Sequence, residues 1–257
     1  MGMFEGVFEN NGTDVNKIYS VTTGIVKENW EAEHPGMVKV EIFLGEDGKN
    51  LTGWVPVATI YGGTEFGAYT LPEIGAEVIV AFNMGDRNCP IVIGSLWNNQ
   101  NKLPPETANE KNTIKKFKTK GGCEVTFSEE SGKESIEIKT PGEMKILLND
   151  EKKMITVSDK DAKNAITLDC DKGTMTLAAD KKLECKVGGE SALVIDGSAK
   201  SVAIESNKIT LNGKQGLELK GQSLKVEGSM VEIKGQSTLK IESSAMAEIK
   251  GAMVKIN

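Results

Sequence analysis

The chain is 257 residues long, which allows one or two domains, and its formal net charge is −6. A single arginine, Arg87, and an acidic balance argue against nucleic-acid binding, which needs a basic patch. No stretch approaches the roughly 20 apolar residues of a membrane-spanning helix. Residues 1–5 show no start of a secretory signal peptide. The four cysteines lack metal-binding or redox spacing, which predicts free thiols in a reducing compartment: Cys89, Cys123, Cys170 and Cys185.

Two regions of different composition meet near Pro104 and Pro105. Eleven of the thirteen aromatic residues lie before residue 100, and the last 116 residues contain neither proline nor an aromatic residue. Residues 1–105 hold 6 basic and 13 acidic residues, a net of −7, whereas residues 106–257 hold 25 and 24, a net of +1. The first hundred residues therefore predict an ordinary globular core, and the remainder predicts a different architecture.

The globular part, residues 1–100, is predicted to contain an N-terminal extension and five short strands. Glycine, proline and aspartate cluster between the apolar runs, as is typical of turns. Five strands in about 80 residues suit a small closed barrel such as an OB fold. The predicted strands are residues 18–26, 37–44, 54–58, 77–82 and 90–96, with turns at 45–48, 71–75 and 84–87 and a glycine-rich loop at 61–68.

The second half of this region carries a specific motif in a fixed order. A proline-glycine turn precedes a strand at residues 71–82, a Gly-Asp turn follows at 85–86, and a Pro-Ile-Val-Ile-Gly strand runs through residues 90–98. This arrangement resembles the OB-fold domain of the VgrG and phage baseplate central spike family. The residues that carry the resemblance are Pro72, Gly75, Gly85, Asp86, Pro90, Gly94 and Trp97.

Residues 101–120 are predicted to be a polar linker, and residues 121–200 an upper shaft with longer β units. Short apolar strands recur there mostly every nine to eleven residues, with turns between them. Units of this length suit hairpins or wide strands, so we expect the shaft to begin broad and to narrow toward the C-terminus. The candidate strands are residues 125–127, 136–138, 146–148, 155–157, 166–168 and 175–177.

Residues 201–257 repeat a short phrase of two apolar residues that bracket a charge, as in Leu217-Glu218-Leu219, every seven or eight residues. Alternation along a strand places the apolar residues on one face and the charge on the other. The bracketed charge alternates Glu, Lys, Glu, Lys, and the residue after each of the first five phrases has the opposite sign. Strands an odd number of repeats apart therefore face each other with opposite charges, which favours lateral pairing.

A coiled coil is the competing explanation of a seven-residue period. Its apolar residues lie three and four apart, whereas these lie two and then five or six apart, with Gly221, Gly228 and Gly235 between them. Each glycine inside a helix would cost roughly 1 kcal/mol relative to alanine. The pattern therefore favours very short strands.

One such strand offers on the order of 3 to 5 kcal/mol of apolar burial, against roughly 1 to 2 kcal/mol per residue for ordering the backbone. Because the ordering cost matches or exceeds the gain from burial, a single short strand is stable only when it pairs with other strands. Three chains around one axis would supply those partners. The resemblance implies the same fold class: an all-β chain with an N-terminal OB-fold barrel followed by an elongated intertwined trimeric β-helix. The expected trimer core is Leu217, Leu219, Leu224, Val226, Val231, Ile233, Leu239, Ile241, Ile249, Val254 and Ile256.

The resemblance implies a non-enzymatic spike of a contractile injection particle, assembled in the cytoplasm and delivered to the target envelope. A separate baseplate hub protein would receive the barrel, because the chain has no room for the hub domain of full VgrG proteins. We expect no catalytic residues, metal, cofactor or nucleic acid. The sequence ends on a strand without a polar cap, where we expect a small PAAR-type tip protein to bind: Val254, Lys255, Ile256 and Asn257.

Two other functions stay open at this point. A single-chain β-helix adhesin or polysaccharide-binding protein would also satisfy the charge alternation, since three repeats make a coil of about 22 residues. An OB-fold nucleic-acid-binding protein is disfavoured by the acidic barrel. His34, the only histidine, and the carboxylates Glu129 and Glu130 are interpreted as structural and solvated residues.

Overall fold

The computed structural model describes residues 17–44 and 50–256. The N-terminal extension before residue 17, the predicted turn at 45–48 and the predicted tip contact Asn257 lie outside the described residues. Within them, all regular structure is β apart from a 3-10 turn at Asn83–Gly85. The predicted all-β fold class is confirmed.

The first unit is a five-stranded antiparallel sheet that closes on itself. Its strand order is β3-β2-β1-β6-β7, and β4 pairs with β5 in a separate small hairpin. A parallel bridge between Val57 and Val92 joins the two ends of the sheet, where the Ala58 N–H donates to the Val92 carbonyl at 2.8 Å. The strands are β1 Thr22–Glu28, β2 Met37–Ile42, β3 Val55–Pro56, β4 Gly62–Gly63, β5 Phe66–Gly67, β6 Glu77–Phe82 and β7 Pro90–Leu96.

Valines form the fully buried centre of this barrel, and Ile42, Leu71 and Phe82 pack partly buried against them. Seven valines are at most 1% exposed, and in β2 and β6 they occupy alternate positions, as strands with one inward face require. The predicted globular core is present, but most of the aromatic side chains that the structure describes in this domain lie on the surface; Trp30 is 73% and Trp97 67% exposed. β-Branched side chains suit a narrow barrel interior. The core consists of Val26, Val38, Val40, Val55, Val78, Val80 and Val92.

The second unit is a seven-stranded antiparallel meander in which each strand pairs with the next along the chain. All six candidate strands between residues 125 and 177 fall inside it. Its first strand, β8, lies within residues 101–120, for which the sequence predicted only a linker, because its three lysines obscure the apolar residues. The strands are β8 Ile114–Lys118, β9 Glu124–Ser128, β10 Ser135–Lys139, β11 Lys145–Asn149, β12 Met154–Ser158, β13 Ala165–Asp169 and β14 Thr174–Ala178.

A smaller sheet follows, and then regular pairing within the chain stops. The three strands β15 Lys182–Val187, β16 Glu190–Asp196 and β17 Ser201–Ile204 form one antiparallel sheet. From residue 205 to 256 the described chain contains no strand, and every residue there is exposed. We call residues 205–256 the needle segment; its apolar residues find no partner strand in their own chain.

Candidate functional site: surfaces for assembly

Gly75 and Gly85 of the barrel motif form turns whose backbone conformation other residues could not adopt without strain. Gly85 has a φ of +79°, and a Cβ added there would lie 3.0 Å from the Tyr19 ring. Its carbonyl accepts a hydrogen bond from the Ile18 N–H at 2.8 Å. Gly75 has a φ of +90°, and its N–H donates to the Val26 carbonyl at 2.9 Å. Both glycines tie turns to the barrel wall.

Asp86 organises the turn that leads into β7. Its carboxylate accepts hydrogen bonds from the Asn88 backbone N–H at 2.9 Å and from the Asn88 side chain at 3.2 Å. The negative charge of Asp86 raises the pKa of the Cys89 thiol. Pro90 then begins β7 opposite Phe82. Asp86 and Pro90 are therefore structural residues of the turn and strand.

The remaining motif residues divide between structure and surface. The Pro72 carbonyl accepts a hydrogen bond from Asn29 Nδ2 at 3.2 Å. Gly94 pairs with Ile79 beside a β-bulge. Trp97 is the one large apolar side chain of the motif, and at 67% exposure it is free to contact another molecule.

An apolar hairpin projects from the barrel between β3 and β6. We call its exposed large side chains, Ile60, Tyr61, Phe66 and Tyr69, the aromatic hairpin; their exposed fractions run from 57% to 98%. The Tyr61 and Phe66 rings lie 5.4 Å apart. A cleft of about 960 Å³ is lined by this hairpin and the residues that flank it, together with Gly36. The sequence predicted only a glycine-rich loop here and did not indicate this surface, which is typical of protein contacts.

One face of the meander is apolar across all seven strands. Strand register places two rows of apolar side chains side by side on this face, broken only by Lys115. Most of them are exposed, with fractions between 37% and 68%. We call these residues the apolar face: Phe117, Val125, Ile138, Ile146, Val157, Ile166 and Leu177 in one row, and Phe127, Ile136, Leu148, Ile155, Leu168 and Met175 in the other.

The opposite face is mostly polar, with the large apolar side chains Ile114, Leu147 and Met154 as exceptions, and it carries a buried carboxylate among lysines. Glu124 is 6% exposed, and its oxygens lie 3.0 Å from Lys118 Nζ, 3.1 Å from Lys139 Nζ and 3.6 Å from Lys116 Nζ. The interaction with Lys118, helped by Lys139 and Lys116 and opposed by burial, lowers the pKa of Glu124 to about 2. This cluster fixes three strands in one register, since Lys118 and Lys139 both lie opposite Glu124.

The predicted trimer-core residues are not brought together by a single chain. Their exposed fractions run from 49% for Val254 to 88% for Ile256. The predicted tip contacts Val254, Lys255 and Ile256 are likewise exposed. Each predicted core side chain is therefore available to a partner: Leu217, Leu219, Leu224, Val226, Val231, Ile233, Leu239, Ile241, Ile249, Val254 and Ile256.

The residues considered for chemistry lie apart. His34 packs against Trp54 with ring centroids 5.9 Å apart, and its Nε2 lies 3.9 Å from Glu31. Glu129 is half exposed and lies 3.5 Å from Lys115. Among residues 17–44 and 50–256, no cluster of three or more His, Cys, Asp or Glu side chains could hold a metal ion. In the same ranges no helix is long and apolar enough to cross a membrane.

Comparison with known proteins matches the barrel to one domain family. Residues 22–97 match the type VI secretion system and phage-baseplate injector OB domain. The chain is 34% identical over 126 residues to the type VI secretion system spike protein VgrG5 of Pseudomonas aeruginosa, and 32% identical over 109 residues to VgrG1c of the same organism. It is 36% identical over 88 residues to the actin cross-linking toxin VgrG1 of Vibrio cholerae.

These matches cover a limited part of each protein. They take in 46%, 40% and 32% of this chain, and 16%, 15% and 8% of the three relatives. The chain thus spans about one sixth or less of the curated relatives it matches. The toxin activity in the name of the Vibrio cholerae protein is a statement about that much longer protein.

Proposed function

Because residues 22–97 match the type VI secretion system and phage-baseplate injector OB domain and the chain is similar to VgrG spike proteins, we propose that it is the central spike protein of a contractile injection particle. In this proposal the barrel docks on the baseplate hub, and the chain beyond it forms a shaft that punctures the target envelope when the particle contracts. The protein acts mechanically and catalyses no reaction. It assembles in the cytoplasm of the producing cell and reaches the target by contraction.

The apolar face of the meander carries the proposal. Thirteen apolar side chains form this face, and the structure leaves it open to solvent. An exposed patch of this size would be unfavourable in water and marks a contact surface. Three copies that turn their apolar faces toward one axis would bury all three patches together. The polar face with Glu124 then points outward, where the partly exposed Lys118 and Lys139 remain hydrated.

The needle segment supports the same arrangement. It has no strand pairing in its own chain, yet its sequence alternates as strands do. Backbone groups of such strands need partners, and other copies of the chain would supply them. A rod held by pairing between chains yields only when several chains separate at once, which suits the transmission of axial force.

The barrel surface supports docking on a second protein. The aromatic hairpin and Trp97 expose large rings, which are enriched at the centres of protein interfaces. We assign the hub contact to this surface. A small PAAR-type tip protein at the opposite end would cover the phrase Val254-Lys255-Ile256 and Asn257.

The molecular mass of the purified chain in solution tests the proposal. Sedimentation equilibrium should give the mass of three copies at low micromolar concentration. A folded species with the mass of one copy would overturn it in favour of a single-chain β-helix adhesin. Electron microscopy of the intact particle, with this chain labelled, should then place the label on the axis below the baseplate; a label on the particle exterior would contradict the spike function.

A further inference from the structure

Five successive phrases of the needle segment each hold an ion pair between the bracketed charge and the residue two positions later. Side chains two apart lie on the same side of a strand. The nitrogen–oxygen distances run from 2.5 to 2.7 Å. We number them pair 1 Glu218–Lys220, pair 2 Lys225–Glu227, pair 3 Glu232–Lys234, pair 4 Lys240–Glu242 and pair 5 Glu248–Lys250.

The order of the charges reverses from each pair to the next, and this restricts how neighbouring strands can align. Two parallel strands one repeat apart place Glu beside Lys at both positions. Two antiparallel strands one repeat apart place Glu beside Glu and Lys beside Lys. Like charges directly opposite are unfavourable. Consecutive phrases of one chain therefore cannot continue the antiparallel meander of β8 to β14 without a row of like charges.

Parallel pairing one repeat apart also cannot occur within one chain. A parallel connection needs a crossover of a dozen or more residues, whereas the phrases recur every seven or eight residues. Parallel neighbours offset by one repeat must therefore come from different copies. Within a single chain, the shortest parallel arrangement with opposite charges is an offset of three repeats.

We propose that the reversing ion pairs set the stagger of the needle: each strand pairs in parallel with the next repeat of another copy of this chain. This inference rests on the trimeric spike proposed above and specifies its register. If one chain shifted by one repeat relative to its neighbour, Glu would lie beside Glu and Lys beside Lys at every ion pair along the needle. The needle strands of one chain therefore pair with those of a second and a third copy of the same chain, and charge complementarity selects this pairing.

Two charge-inversion variants with unchanged net charge test this register. The first inverts pair 2 alone, by Lys225→Glu and Glu227→Lys, and creates like-charge contacts with pairs 1 and 3. The second adds the inversion of pair 1, by Glu218→Lys and Lys220→Glu. It creates a like-charge contact only with pair 3, because the phrase before pair 1 brackets Thr210 and is neutral.

The variant with more substitutions should therefore be the more stable one. We expect the pair 2 variant of the full chain to unfold in urea at low salt roughly tenfold faster than the unaltered chain. The variant with pairs 1 and 2 inverted should unfold about threefold faster. In 1 M NaCl, where the screening length is about 3 Å, the differences should largely disappear.

Each other outcome contradicts the inference. An offset of three repeats would reverse the order, because pair 2 would then face only pair 5 and pair 1 only pair 4. Equal unfolding rates for all three chains, or variants that fail to assemble even in 1 M NaCl, would also overturn it. The mass of the unaltered chain is measured separately: a trimer that is insensitive to these inversions refutes the register and leaves the spike function standing.

Discussion

Lys120 Nζ lies 3.0 Å from Glu73 Oε2, so that one ion pair connects the turn before β6 of the barrel to the turn between β8 and β9 of the meander. The two residues are 47 positions apart in the chain. Their side chains are 71% and 53% exposed, which is typical of ion pairs that contribute little to stability. The pair is therefore a weak contact between the barrel and the meander.

Replacing Glu73 with glutamine should change the stability of the barrel very little. Exposed ion pairs contribute about 0 to 1 kcal/mol, so we expect a small shift in the urea midpoint of barrel unfolding. A loss of several kcal/mol would show that the contact is structural.

Replacing Glu124 with glutamine should be far more costly. The substitution removes the carboxylate that Lys116, Lys118 and Lys139 share, and Lys116 is nearly buried. We expect the free energy of unfolding to fall by about 1 to 3 kcal/mol. The matched control is Glu129→Gln, whose carboxylate is 60% exposed and 3.5 Å from Lys115. Urea unfolding of the meander measures both. Equal effects of the two substitutions would contradict the role of the Glu124 cluster.

The same carboxylate makes stability depend on pH. The lysines hold the pKa of Glu124 at about 2 in the folded chain, below the ordinary value of 4.5. Its contribution is therefore present above pH 4.5 and is lost as the pH falls from 4.5 toward 2. The Glu124→Gln variant lacks this titration, so its stability should fall less over that interval. Parallel pH profiles for both chains would argue against this cause.

Two adjacent residues of β12 lie on opposite faces of the meander. Ile155 lies on the apolar face, and Thr156 lies on the polar face. Ile155→Asp should bury three carboxylates in the proposed trimer interior and prevent assembly, whereas Thr156→Asp should leave the trimer intact. Sedimentation velocity distinguishes the two. A trimeric Ile155→Asp variant would show that the apolar face lies outside the contact between copies.

Two glycines of the barrel motif should differ in their tolerance of alanine. At Gly85, alanine would adopt a φ of +79° and meet the Tyr19 ring at 3.0 Å, for which we expect a loss of about 1 to 3 kcal/mol. At Gly94 no atom lies within 4 Å of the added Cβ, so Gly94→Ala should be nearly neutral. Thermal unfolding of the barrel provides the comparison, and equal midpoints would exclude this explanation of the motif.

Removing residues 250–257 should abolish binding of the proposed tip protein. The deletion removes the exposed phrase Val254-Lys255-Ile256 and leaves the barrel and meander unchanged. Binding of a purified PAAR-type protein from the same particle, followed by co-sedimentation, measures the effect. Undiminished binding after the deletion would refute this contact.

Strand positions could be predicted where the apolar alternation is regular. The predicted ranges 77–82 and 90–96 coincide with β6 and β7, and the strands from β9 to β14 contain all six short candidates. The spacing of apolar residues and the positions of turn residues are local properties, so they can be recognised without knowledge of the tertiary structure. The division of the chain at residues 100, 120 and 200 stays a prediction.

Long-range relationships could not be predicted in this way. Lys118 and Lys139 meet at Glu124 only because the hairpins β8–β9 and β9–β10 have matching registers. Nothing in the sequence around either lysine indicates that register. Strand β8 was missed because Lys115, Lys116 and Lys118 resemble a solvated linker. The aromatic hairpin was missed because aromatic residues in a small domain more often indicate a core than a surface.

The all-valine core leaves the indole rings outside the barrel interior. Trp30 and Trp97 are largely exposed, and Trp54 lies partly exposed beneath Lys39, whose Nζ is 4.8 Å from its ring. All three tryptophans of the chain are in this domain. Their fluorescence will therefore respond first to whatever covers the barrel, which gives the docking step an intrinsic optical signal without any added label.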